Sequence, residues 1–126
     1  MAEPEGANIL IVMTSGPDTP ERCAAPFFFA QGAAALEAEV SMLFTMQGTQ
    51  LLKQGVAENL YAKEGGRSIS QFIKDTLDAG VTFYVCAASL ELNDMSPDDL
   101  IEDVDNLVGS TFLITQGLDA DLVLNF

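Results

Sequence analysis

The chain has 126 residues, of which 48% are hydrophobic and 19% are charged. This length and composition exclude a disordered or fibrous protein and predict one domain, spanning residues 1–126, with its own apolar core. The formal net charge of −14 argues against direct binding to nucleic acid, because such binding depends on Lys and Arg neutralising the phosphates.

Three further features of the sequence exclude some classes of function: its hydropathy, its cysteines and its lack of histidine. No apolar run approaches the ~18 residues of a membrane span, and the acidic start MAEPEG lacks the segments of a secretory signal, so we expect no membrane association and a cytoplasmic location. The two cysteines, Cys23 and Cys86, are then expected to be free thiols. The absence of histidine excludes Ser-His and Cys-His nucleophile pairs and His-ligated metals, and we predict neither a metal nor a cofactor.

Four continuous apolar runs of strand length recur along the chain, with helical stretches between them. Such runs are typical of strands in a parallel sheet, where helices cover both faces. The predicted strands are residues 8–14, 39–45, 81–86 and 121–125. They predict a three-layer α/β fold with a mainly parallel sheet and helices on both faces, of the flavodoxin-like or Rossmann-like kind.

Two helices have well-marked starts. Residues 68–80 combine an N-cap at Ser68 with apolar residues at helical spacing and a terminal glycine. The segment SPDDLIEDV predicts a helix capped by Ser96, with Pro97 in its first turn. The remaining predicted elements are a short helix at 47–55, a loop at 56–67, a short strand in the NLVG segment and a last helix at 110–118 with Ser110 as its cap.

The segment between the first two strands leaves alternatives open. Pro26 would kink a helix that begins at Pro20, so either the helix bends there or an irregular turn precedes a helix that starts near Pro26. The three residues Phe27–Phe29 span about 200° of a helix, which is too wide for one stripe facing the sheet. Either at least one of them faces another subunit, or a large core or the kink at Pro26 accommodates all three.

Cys86 is the strongest candidate for chemistry. It ends the third strand, and ligands of parallel α/β sheets bind outside the carboxyl ends of the strands. Backbone amides of the small-residue turn that follows would stabilise a thiolate, which is the reactive form. The alternative is that Cys86 is a buried, inert hydrophobe. The residues predicted to share its edge are Thr14, Ser15, Gly16, Gln47, Gly48, Ala87 and Ser89.

Two other features carry a weaker chemical signal. Cys23 is a second candidate thiol, because the adjacent Arg22 and a nearby helix start would lower its pKa. The acidic run in the last third of the chain lacks the spacing and the glycine of a calcium loop and is interpreted as a solvated helix face. Its members are Asp98, Asp99, Glu102, Asp103 and Asp105.

The sequence resembles the DsrE/DsrF-like family, which includes the TusD-type sulfur-relay subunits. The resemblance rests on the order and spacing of three segments: TSGPDTPERCAAPFFFAQGAAALEAEVSMLFTMQGTQLL, VTFYVCAASLELNDMSPDDLIEDV, where a cysteine ends the third strand, and DLVLNF. It implies a homo-oligomer, a trimer or a hexamer. It also implies that Cys86 accepts sulfane sulfur as a persulfide from a protein donor and passes it to a protein acceptor. The alternative function is a non-catalytic, oligomeric module that binds a small ligand or a protein, with Cys86 lining its pocket.

Overall fold

Five strands form one parallel sheet in the computed structural model, which describes residues 3–104 and 106–126. They lie in the order β4-β3-β2-β1-β5, and each neighbouring pair runs parallel. The α/β fold is confirmed, and the four long predicted strands are correct to within one residue at each end. The strands are β1 (Asn8–Met13), β2 (Glu39–Phe44), β3 (Thr82–Cys86), β4 (Leu107–Val108) and β5 (Leu122–Asn125).

Helices cover both faces of the sheet, which confirms the three layers. The chain steps from β1 to β2 to β3 in one direction and returns from β4 to β5 in the other, so right-handed crossovers place the connecting helices on opposite faces. Helices α1 and α2 pack on the main core, and α4 packs on the second face. The helices are α1 (Ala25–Ala35), α2 (Ile69–Asp78), α3 (Ala87–Leu92) and α4 (Ser110–Asp119).

The start of α1 settles the alternative left open by Pro26. A 3₁₀ turn over Pro20–Arg22 comes first, and α1 then begins at Ala25 with Pro26 in its first turn. Proline is tolerated there because the first amides of a helix have no carbonyl partner within it. The prediction of an irregular turn followed by a helix near Pro26 is therefore the correct one.

The three phenylalanines of α1 divide between core and surface. Phe27 is fully buried against Phe44 and Phe83. Phe28 and Phe29 keep 57% and 54% of their surface exposed. The core of this chain therefore accommodates one of the three rings completely.

The helix predicted from Ser96 onward is wrong in extent. Ser96 and Asp99 form the capping box, but only a 3₁₀ turn over Pro97–Asp99 follows. Leu100 is then extended and bridges antiparallel to Lys53, which draws its apolar side chain into the core. This tertiary pairing outweighs the local helix signal. Asp105, the last residue of the acidic run, lies outside the described residues.

The other helical predictions are correct in place but differ in detail. Helix α2 is capped by the Ser68 side chain, as predicted, and α4 starts at Ser110 itself with Gly109 as its N-cap. The helix predicted at 47–55 is a 3₁₀ helix over Met46–Leu52. The loop predicted at 56–67 contains one 3₁₀ turn, Ala57–Asn59.

Candidate functional site

Cys86 lies at the carboxyl end of β3 and is also the N-cap of α3. The Ala87–Ser89 segment, predicted as a turn, forms the first residues of this helix. Because side chains alternate across a strand, Phe83 and Val85 enter the main core, whereas Cys86 packs in the smaller apolar cluster beneath α4. The thiol is only partly buried, so it is neither sealed in the core nor fully exposed.

Opposing effects set the pKa of Cys86. Partial burial is the largest and raises the pKa, because the thiolate loses solvation. The hydroxyl and the backbone N–H of Ser89, the Thr45 hydroxyl and the Ala88 N–H act the other way, because donor groups near the sulfur stabilise the thiolate and lower the pKa. Together they bring the pKa below the ordinary value of a cysteine. The thiolate that chemistry requires is therefore favoured at this position.

The Ser89 hydroxyl is held in place by the end of β2. Its oxygen accepts a hydrogen bond from the Met46 N–H at 2.8 Å and lies 3.0 Å from the Thr45 hydroxyl oxygen. The Ser89–Thr45 bond uses only one of the two hydroxyl protons. The other proton is available to a thiolate at Cys86, whichever of the two hydroxyls supplies it.

Asn93 joins α3 to the 3₁₀ helix Met46–Leu52. Its amide nitrogen lies 2.8 Å from the Met46 carbonyl oxygen, 2.7 Å from the Ser89 carbonyl oxygen and 2.8 Å from the Thr49 hydroxyl. Its own oxygen accepts from the Gln50 side chain at 2.6 Å. The sequence predictions missed Asn93, Met46 and Thr49, because these contacts span more than 40 positions of the chain and follow no local motif.

The turns after β1 and β2 pack closely, backbone against backbone. This packing explains why two of the residues predicted at the edge are glycines. A Cβ atom at Gly16 would lie 2.3 Å from the carbonyl oxygen of Gln47, and one at Gly48 would lie 2.2 Å from that of Met13. Real Cβ atoms do not approach so closely, so both positions require glycine for space. Gly16 and Gly48 therefore have a structural role that is independent of any ligand.

The other residues that were predicted to share the edge with Cys86 differ in their contacts and burial. Thr14 donates from both its N–H and its hydroxyl to the Phe126 carbonyl oxygen, at 2.7 and 2.6 Å, and so joins β1 to the residue after β5. Ser15 and Gln47 are partly buried, and Ala87 is exposed. Of the predicted residues, Ser89 lowers the pKa of Cys86, whereas the hydrogen bonds of Thr14 lead to Phe126.

Cys23 differs from Cys86 in every respect that governs reactivity. It is fully buried, and its thiol lies 3.3 Å from the Gly16 carbonyl oxygen, to which it donates. Burial first, and then the carboxylates of Glu21 and Asp18, raise its pKa to about 11. This corrects the expectation that Arg22 and a helix start would lower that pKa. Cys23 has the surroundings of a packing residue.

Neither a metal cluster nor a membrane-spanning helix is found in residues 3–104 and 106–126. No three His, Cys, Asp or Glu side chains of this part of the chain come together as potential metal ligands. None of its helices has the length and apolar character to cross a bilayer.

Comparison with known proteins identifies similar folds and a family. The chain resembles the YchN protein from E. coli, with a TM-score of 0.79 and 20% identity over 95% of this chain and 99% of that one. It also resembles MTH1491, a protein of unknown function from Methanobacterium thermoautotrophicum, with a TM-score of 0.65 and 13% identity over 97% and 100% of the two chains. Among curated proteins, none matches significantly. The family model of the DsrE/DsrF-like proteins matches residues 7–126, nearly the whole chain, and the protein belongs to that family.

Proposed function

We propose that this protein is a sulfur carrier that holds sulfane sulfur as a persulfide on Cys86. Membership of the DsrE/DsrF-like family suggests a sulfur-relay role. The observation that carries the proposal is the partly exposed Cys86 thiol, whose pKa is lowered by hydrogen bonds from Ser89, Thr45 and Ala88 despite its partial burial. No other thiol of the sequence shares these properties, since Cys23 is buried and has a raised pKa.

The proposed reaction has two displacement steps that balance without an oxidant or a reductant. In the first, the Cys86 thiolate attacks the outer sulfur of a donor persulfide. A new S–S bond forms at Cys86, the donor S–S bond breaks, and its electron pair leaves with the donor thiolate. In the second step, an acceptor thiolate attacks the outer sulfur on Cys86, and the Cys86 thiolate is released.

The hydrogen bonds around Cys86 support both steps. In the first step they increase the fraction of attacking thiolate at neutral pH. In the second step Cys86 is the leaving group, and a thiol of lower pKa leaves faster. The same donors from Ser89, Thr45 and Ala88 therefore favour loading and discharge, as a carrier requires.

The elements next to Cys86 carry exposed apolar side chains, which suit protein donors and acceptors. Met46 and Leu92 expose 53% and 63% of their surface. Apolar residues of this kind contribute to protein contacts more than to recognition of polyanions. The net charge of −14 likewise opposes a role in which the protein itself binds transfer RNA.

Two free thiols fit a reducing compartment such as the cytoplasm.

The acidity of Cys86 gives a direct test of the proposed function. We expect the alkylation rate of the Cys23→Ser variant to rise with a pH midpoint below about 8.5, the usual pKa of a free cysteine. The Cys86→Ser variant is the matched control, since it leaves only the buried Cys23, and it should react far more slowly at neutral pH. A Cys86 thiol that reacts only above its usual pKa would favour the alternative of a non-catalytic binding module.

A trimer or a hexamer is proposed as the working assembly. Exposed apolar side chains lie on two helices at opposite faces of the sheet: Phe28 and Phe29 on α1, and Ile114 and Leu118 on α4. Leu118 keeps 85% of its surface exposed, which a second copy of the chain would cover. We expect light scattering at micromolar concentration to report the mass of a trimer or a hexamer. A monomer under those conditions would contradict the proposed assembly.

A further inference from the structure

We infer that Asn93 is a positioning residue for Cys86, because it holds Met46 in the conformation that orients the Ser89 hydroxyl toward the thiol. The inference rests on the proposed function, since it names the side chain that organises the same site. Asn93 lies at the C-terminal end of α3, one helix length from Cys86 at the other end. It acts through the backbone of Met46 rather than on the sulfur.

The first step of the argument concerns the Met46 backbone. Met46 has a φ of +52°, in the left-handed region that residues with a Cβ atom rarely adopt. Its carbonyl oxygen accepts hydrogen bonds from the Asn93 amide at 2.8 Å and from the Thr49 hydroxyl. These bonds stabilise a conformation that Met46 would not prefer by itself.

The orientation of the Asn93 amide is determined by its neighbours. The Gln50 side-chain amide donates to the Asn93 oxygen at 2.6 Å. On the other side are the carbonyl oxygens of Met46 and Ser89, which can only accept. The nitrogen of Asn93 must therefore face the two carbonyls, and the side chain bridges the 3₁₀ helix to α3.

The last step connects Met46 to the thiol. In its left-handed conformation, the Met46 N–H donates to the Ser89 hydroxyl oxygen at 2.8 Å. That bond occupies a lone pair of the oxygen and directs the hydroxyl proton away from Met46, to the side where Thr45 lies. Ser89 is also the first of the groups that lower the pKa of Cys86. Without Asn93, the Met46 carbonyl oxygen keeps only the bond from the Thr49 hydroxyl, so the conformation of Met46 is less stable and the Ser89 hydroxyl is less well oriented.

The test measures alkylation rate against pH in a Cys23→Ser background. Asn93→Ala is expected to raise the pH midpoint of Cys86 by about one unit, the size of one lost hydrogen bond to a thiolate. Asn93→Leu, which keeps the shape of the side chain and removes its donors, should give the same shift. The carboxylates of the same segment, Glu91 and Asp94, are unchanged in both variants.

Two controls separate positioning from general damage. Asn59→Ala also removes one amide-to-carbonyl bond, to Gly55, in another 3₁₀ turn, and should leave the midpoint unchanged. In a Ser89→Ala background, Asn93→Ala should add no further shift, because its effect passes through Ser89. The inference would be overturned if folded Asn93→Ala or Asn93→Leu protein had an unchanged pH midpoint. It would also be overturned if Asn93→Ala caused the full shift in the Ser89→Ala background.

The two proposals fail in distinguishable ways. The pH midpoint of alkylation in the parent protein reports whether the pKa of Cys86 is lowered, which the proposed function requires. The difference between the parent and the Asn93 variants reports whether Asn93 positions the donors, whether or not the thiol ever accepts sulfur.

Discussion

Replacing Gly48 by alanine is expected to lower the free energy of unfolding by about 3 kcal/mol. The added Cβ would lie 2.2 Å from the carbonyl oxygen of Met13 and 3.4 Å from its side chain. The obstacle is backbone at the end of the interior strand β1, so it cannot be relieved by a side-chain rotation. Urea unfolding should show a lower midpoint with a similar slope.

Gly32→Ala is the matched control for this substitution. Gly32 lies in α1, and a Cβ atom there would meet nothing within 4 Å. Alanine is a better helix former than glycine, so this variant should be more stable than the parent by about 0.5–1 kcal/mol. Equal effects of the two substitutions would contradict the tight packing of the turns after β1 and β2.

The fold was predictable because each long strand is a continuous apolar run that needs cover on both faces. The elements that escaped prediction depend on distant parts of the chain. The segment that begins at Ser96 carries a helix start, yet no helix follows Asp99 and Leu100 pairs with Lys53 instead. Likewise the small residues Ala87–Ser89 suggested a turn, but they continue into α3, whose end is held by Asn93.

The site was predictable only in part, for a related reason. Cys86 and Ser89 are close in sequence and follow a strand, which places them at the ligand edge of the sheet. Asn93 and Met46 are brought together by packing between α3 and the 3₁₀ helix after β2. Nothing in the local sequence marks Met46 as a residue with a positive φ, because such residues are usually glycine or asparagine.

Burial separates the two thiols in a way that their sequence neighbours do not indicate. The charge next to Cys23 in sequence is Arg22, but the folded chain surrounds the sulfur with apolar groups and places the carboxylates of Glu21 and Asp18 near it. The pKa of Cys23 rises to about 11 for these reasons. Cys86 has no neighbouring basic residue in sequence, and hydrogen bonds from the fold lower its pKa.

The second large effect is expected on sulfur transfer. The Cys86→Ser substitution should completely abolish the uptake of sulfur by the protein. The serine hydroxyl has no sulfur to form the S–S bond and does not ionise at neutral pH. The Cys23→Ser variant is the control and should load like the parent protein. Its serine can still donate to the Gly16 carbonyl oxygen that the Cys23 thiol contacts.

Intact-mass measurement of the two variants tests the central claim most directly. Each is incubated with cysteine persulfide, freed of excess donor and then mixed with a thiol acceptor. The account predicts that Cys23→Ser gains the mass of one sulfur atom and loses it to the acceptor, whereas Cys86→Ser gains none. The claim is contradicted if folded Cys23→Ser takes up no sulfur, forms only a mixed disulfide, or does not pass its sulfur on, or if Cys86→Ser loads equally well.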